Sequence, residues 1–149
     1  MAHAEESYLP DSLVPVSVWK LAQTQSAEER SVVILREDHG EGILPCAIGP
    51  CEAATIHNLL DERHSGRVSA RPLTHELVES VISALGGRLE RAVLTRLVHE
   101  TFFAVLVIRA GAKEVSLDAR PSDAISLALA TGAPLYALRG LLEDVSGEP

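Results

Sequence analysis

Three proline-led junctions hold most of the polar groups in this chain that could do chemistry. They read Gly49-Pro50-Cys51-Glu52, Arg71-Pro72-Leu73-Thr74-His75-Glu76 and Asp118-Ala119-Arg120-Pro121-Ser122-Asp123. Proline suits the first turn of a helix, where its missing N–H is not needed. A helix start carries free backbone N–H groups and partial positive charge, and so can hold an anion. Arg71 and Arg120 would add bidentate hydrogen bonds to a phosphate. Glu52, Asp118 and Asp123 offer hard carboxylate oxygens of the kind that bind Mg²⁺ or Mn²⁺. His75 could move a proton. A metal that activates water and cations on the scissile phosphate together suit phosphodiester hydrolysis. The plainer reading of the same residues is structural. Thr74 and Ser122 then cap helices, Glu76 and Asp123 complement helix dipoles, and the two arginines pair with Asp118 and Asp123.

The remaining reactive groups say less. Cys46 and Cys51 flank the first junction and could form a tight disulfide or, with His57, part of a metal site. No second cysteine pair completes a zinc signature, so two reduced thiols are expected. His99-Glu100 reads as a hairpin tip that needs no functional reason. HExxH, GxSxG and a glycine-rich phosphate loop are absent.

The elements that must position these groups follow from periodicity and turn residues. Alternating or β-branched apolar residues predict strands over 12–21 and 32–35, and a turn at Asp38-His39-Gly40-Glu41-Gly42 leads into a strand at Ile43–Ile48. Helical spacing predicts a first helix from Pro50 to about Glu62. A second runs from Thr74 to Gly86-Gly87, with Leu77, Val78, Val81, Ile82 and Leu85 as its buried stripe. Three antiparallel strands are expected over 89–98, 101–109 and 113–119. A third helix then runs from Pro121 to Gly132, followed by a short strand over 134–138 and a last helical turn over 141–145. Residues 1–11 are acidic and aperiodic, and read as an arm preceding one domain over 12–149. The order is α+β, with a mixed, largely antiparallel sheet and about three helices, not a repeating βαβ array.

Composition bounds the function. With 149 residues, 46% apolar and 23% charged, the chain has the make-up of one globular domain. Aromatics are only 3%, so the core must be aliphatic and no aromatic platform for bases is evident. No uncharged stretch reaches the ~18 residues of a membrane span, and the acidic start lacks a basic-then-apolar leader. A cytoplasmic protein without a membrane partner is expected. The formal net charge is −8, which excludes a broad basic face for nucleic acid. Six arginines face three glutamates over 63–99, so a local anion site remains open.

Leu44 to Ala53, Arg71 to Leu77 and Asp118 to Ile125 together resemble the bifunctional nuclease family, in order and across nearly the whole chain. The Arg71-Pro72-Leu73-Thr74-His75 and Arg120-Pro121-Ser122-Asp123-Ala124 blocks carry most of that likeness. The resemblance implies an α+β domain, often homo-oligomeric, with RNA and DNA as substrates in plant members. Glu52, Arg71, His75, Asp118, Arg120 and Asp123 match motif positions of the family. Cys46-Ala47 departs from it, since an aromatic residue is frequent there. The expected function is a metal-assisted nuclease without an organic cofactor. His75, Asp118 and Asp123 would be catalytic, Arg71 and Arg120 would hold phosphate, and Glu52, Asp118 and Asp123 would hold the ion. The alternative is a non-catalytic oligomeric module for binding or regulation.

Overall fold

Strand pairs in this chain are set by apolar residues at every second position. Val14 and Val16, Val33 and Leu35, Leu44 and Cys46, Ala104 and Leu106, and Leu135 and Ala137 all point into one buried cluster. The computed structural model describes residues 12–23, 30–65 and 73–146. Among the described residues are seven strands: β1 (Leu13–Gln23), β2 (Ser31–Glu37), β3 (Ile43–Ile48), β4 (Gly87–Val98), β5 (Thr101–Ala110), β6 (Lys113–Ala119) and β7 (Leu135–Leu138). Four helices join them: α1 (Pro50–Ser65), α2 (Thr74–Ala84), α3 (Pro121–Thr131) and α4 (Arg139–Ser146). The sheet order is β3-β2-β1-β7-β4-β5-β6, with the β4–β7 pair parallel. This is the expected α+β architecture. The expected arm over 1–11 and the residues Arg71 and Pro72 lie outside the described residues.

Bulges at Trp19 of β1 and at Glu90 and Thr95 of β4 interrupt the strand register. In β4, Leu89 pairs with Ile108 and Arg91 with Val107, so Glu90 is the extra residue. Leu89 and Ala92 therefore both face the core despite their odd spacing. Trp19 is the extra residue in β1, between the Val18–Leu35 and Lys20–Ile34 pairs. Its ring is left 49% exposed, with the Lys20 ammonium 4.5 Å from its centroid.

The core closes over α3, which lies against α1, α2, β4 and β5. Ala124, Ile125, Leu127 and Ala128 are buried along it. Gly132 ends it in the left-handed region at φ 76, where its N–H donates to the Ala128 carbonyl.

The second helix departs from expectation. No residue of α2 is buried, and Leu77, Val81 and Leu85 are 55, 49 and 79% exposed. The apolar spacing marks one helix face correctly, yet that face meets solvent rather than the sheet. Capping differs as well. Leu73 is the N-cap of α2 and Arg120 that of α3, and neither Thr74 nor Ser122 supplies a side-chain cap bond. Pro121 takes the first helical position of α3, which moves Ser122 past the cap and into the buried first turn.

Candidate functional site

A cleft of about 400 Å³ lies where the two edges of the sheet approach each other. Cys46, Ala47 and Ile48 of edge strand β3 line it together with Asp118 and Ala119 of the opposite edge strand β6. The seven-stranded sheet therefore curls, and the cleft is the seam it leaves. Strand twist accumulating in one hand brings distant edges together in this way. The starts of α1 and α3 open into the same seam, contributing Gly49, Glu52, Arg120, Pro121 and Ser122.

Arg120 joins the two helix starts. Its Nε donates to Asp123 Oδ2 at 2.8 Å and its Nη2 to Asp123 Oδ1 at 3.2 Å, a two-point fork. Its Nη1 donates to Glu52 Oε1 at 3.3 Å, across 68 positions of sequence. Pairing with Asp123, and with Glu52 after it, holds the guanidinium above its usual pKa. The Arg120 side chain is still 65% exposed, so solvent and ligands reach it. Glu52 reaches Arg120 because Gly49 leaves room: a side chain at that glycine would strike the Glu52 carboxylate.

The structure thus brings Glu52, Asp118, Arg120 and Asp123 to one place. Asp118, exposed at the end of β6, pairs in register with Val105 of β5 and lines the cleft. His75 is not among the residues lining the cleft. Its side chain is 9% exposed on α2, and its Nε2 stands 3.9 Å from Glu76 Oε1 with neither atom hydrogen-bonded.

Glu100, Phe102 and Phe103 also line the cleft and stand outside the residues that the sequence singles out for chemistry. They lie in and beside the β4–β5 hairpin, which reads as core and turn. One signal was available. His99 and Glu100 form a two-residue tip without glycine, and both adopt positive φ, 49 and 64. Such strain in non-glycine residues gathers near functional sites.

The carboxylate oxygens are of a type that suits Mg²⁺ or Mn²⁺. Among the described residues, however, no three His, Cys, Asp or Glu side chains converge as the ligands of one ion would. Glu52 and Asp123 give their oxygens to Arg120. As arranged, the group fits a guanidinium rather than an ion. The cysteines are free thiols, Cys51 exposed and Cys46 buried. Burial pushes the Cys46 thiol up to about 11, so it is protonated and a poor nucleophile at neutral pH.

Fold and motif blocks together define a family. Residues 33–148 match the bifunctional nuclease domain, and the chain belongs to that family. An uncharacterised protein of Mycobacterium tuberculosis is 35% identical over 120 residues, covering 80% of this chain and 69% of that protein. Bifunctional nuclease 1 and bifunctional nuclease 2 of Arabidopsis thaliana are 36% and 32% identical, over 69% and 70% of this chain. The match spans only 32% of each plant protein's length. No described helix is long and apolar enough to cross a membrane.

Proposed function

We propose that the seam cleft hydrolyses phosphodiester bonds of RNA or DNA. One observation carries the reading: an accessible arginine at a helix start, held by two carboxylates, with a third carboxylate, Asp118, on the same cleft wall. Arg120 and the first-turn N–H groups of α3 would hold the phosphate. Asp118 would accept a proton from the attacking water. The phosphorus–oxygen bond to the leaving sugar oxygen then breaks, and that oxygen takes up a proton. The names of the plant relatives support the reaction class.

Among the described residues, Glu52, Glu100 and Asp118 against Arg120 give the lining three negative groups and one positive. That excess repels a polyanion, and a divalent cation would offset it. Mg²⁺ or Mn²⁺ would supply neutralising charge and a more acidic bound water. This metal-assisted form has a cost, because Arg120 must yield Glu52 or Asp123 before those oxygens can turn to an ion.

A second reading, an oligomeric binding module, is favoured by the bare ridge of α2. Leu73, Leu77, Val81 and Leu85 recur every four residues, the row that packs against its own copy in a two-fold helix pair. Cleavage of labelled RNA and DNA by wild type and Asp118→Asn tests the first reading. A folded variant that cleaves like wild type would contradict it.

A further inference from the structure

Both phenylalanines of the chain, Phe102 and Phe103, line the same cleft as Glu52, Asp118 and Arg120. The remaining aromatic residues are one Trp and two Tyr, so this is a concentration of rings in a ring-poor protein. Adjacent residues of a strand point to opposite faces. The Phe103 ring already carries the Arg96 guanidinium, 4.6 Å from its centroid. Phe102 rests partly on the core and is half-buried, so its ring is the one left for a planar group entering the cleft. Glu100 at the strained hairpin tip stands at the same rim, where a carboxylate can accept from amino or hydroxyl donors.

We propose that the cleft takes an unpaired nucleotide of single-stranded RNA or DNA, its base against Phe102 and its phosphate at Arg120. The inference rests on the hydrolytic reading for its substrate but not for its binding geometry. Stacking requires a free base face, and in a duplex both faces are covered by neighbouring bases. Duplex binding also draws on many phosphate contacts, whereas a chain of net charge −8 with one arginine among the described residues of the cleft offers few. Stacking of bases on aromatic side chains is part of the recognition chemistry of single strands. A cleft of about 400 Å³ has the size of a site for one small ligand.

The test is fluorescence anisotropy with a short labelled oligonucleotide, single-stranded and annealed to its complement. It compares wild type, Phe102→Leu and Phe103→Leu, with thermal unfolding to confirm each fold. Leucine keeps apolar bulk and removes the ring. Single-strand binding should exceed duplex binding about tenfold, and Phe102→Leu should lose about tenfold, from the usual worth of one stacked base. Phe103→Leu should change it far less. Equal binding of the two forms overturns the proposal, as does an unaltered Phe102→Leu. The wild-type comparison decides even if Phe102→Leu does not fold. Cleavage in the same mixtures separates the two ideas. Cleavage of both forms alike, indifferent to Phe102, keeps the hydrolytic reading and overturns this one. Ring-dependent single-strand binding without cleavage does the reverse.

Discussion

Arg120 Nη1 lies 3.3 Å from Glu52 Oε1, and that bond ties the start of α3 to the start of α1 across the seam of the sheet. Neither residue is deeply buried; their side chains are 65% and 26% exposed. Exposed ion pairs are typically worth below ~1 kcal/mol, because water screens them and ordering costs entropy. The network is therefore too weak to be what holds the fold.

A double-mutant cycle on Glu52→Gln and Arg120→Gln should accordingly give a coupling energy below ~1 kcal/mol in chemical denaturation. A coupling several times larger would mean that the network fixes the fold, and that its polar groups need no catalytic explanation.

Cys46 makes stability depend on pH in the alkaline range. Its thiol titrates near 9.0 when unfolded and near 11 when buried in the native state. Between those values the unfolded chain has released the proton and the native protein has kept it, so stability falls as pH rises. The loss should total about 2–3 kcal/mol by pH 11 and vanish below about pH 8. Cys46→Ala should flatten that part of the curve. A decline of equal size in the variant would place the effect elsewhere. Thiol reagents should label the exposed Cys51 and spare Cys46 in the folded protein.

Gly132 turns α3 into β7 at φ 76, a conformation in which any other side chain is strained. Open space surrounds it, so Gly132→Ala pays for the backbone alone, about 1–2 kcal/mol. A lowered melting temperature with unchanged far-UV circular dichroism is the expected result. An unchanged melting temperature would contradict the assigned geometry.

On the binding-module reading, the bare ridge of α2 would be the surface that meets a second copy. Leu77→Glu and Leu85→Glu should leave a folded monomer intact, since both side chains are exposed. In sedimentation they should shift any dimer of the wild type towards monomer. A dimer that persists in both variants would remove α2 from the interface.

Much of the fold was legible in the sequence. The expected limits of β3 and β6 agree with the observed Ile43–Ile48 and Lys113–Ala119, because alternation ends abruptly there at Gly, Pro and turn residues. The face of α2 was also legible, but not its surroundings: spacing shows which residues share a side, and says nothing of what that side meets. The junctions at Glu52 and Arg120 could be singled out by type, whereas their meeting could not. It depends on how far seven strands twist and curl, a long-range property that no local pattern records. Phe102 and Phe103 go unmarked in the sequence for a related reason. In a strand with apolar neighbours a phenylalanine reads as core, and only the seam reveals a ring at its wall.

Hydrolysis at the seam, as proposed, turns on Asp118. Asp118→Asn keeps the shape of an exposed residue and removes its proton-accepting charge. Wild type and variant would be compared on labelled single-stranded RNA and DNA, with Mg²⁺, with Mn²⁺ and with EDTA. The account predicts cleavage by wild type and a loss of about a hundredfold or more in a variant of unchanged melting temperature. Abolition by EDTA would add the ion to the reaction. Equal cleavage by both proteins would contradict the role of Asp118 and place the activity elsewhere, whereas none by wild type under any condition would leave the oligomeric binding module in its place.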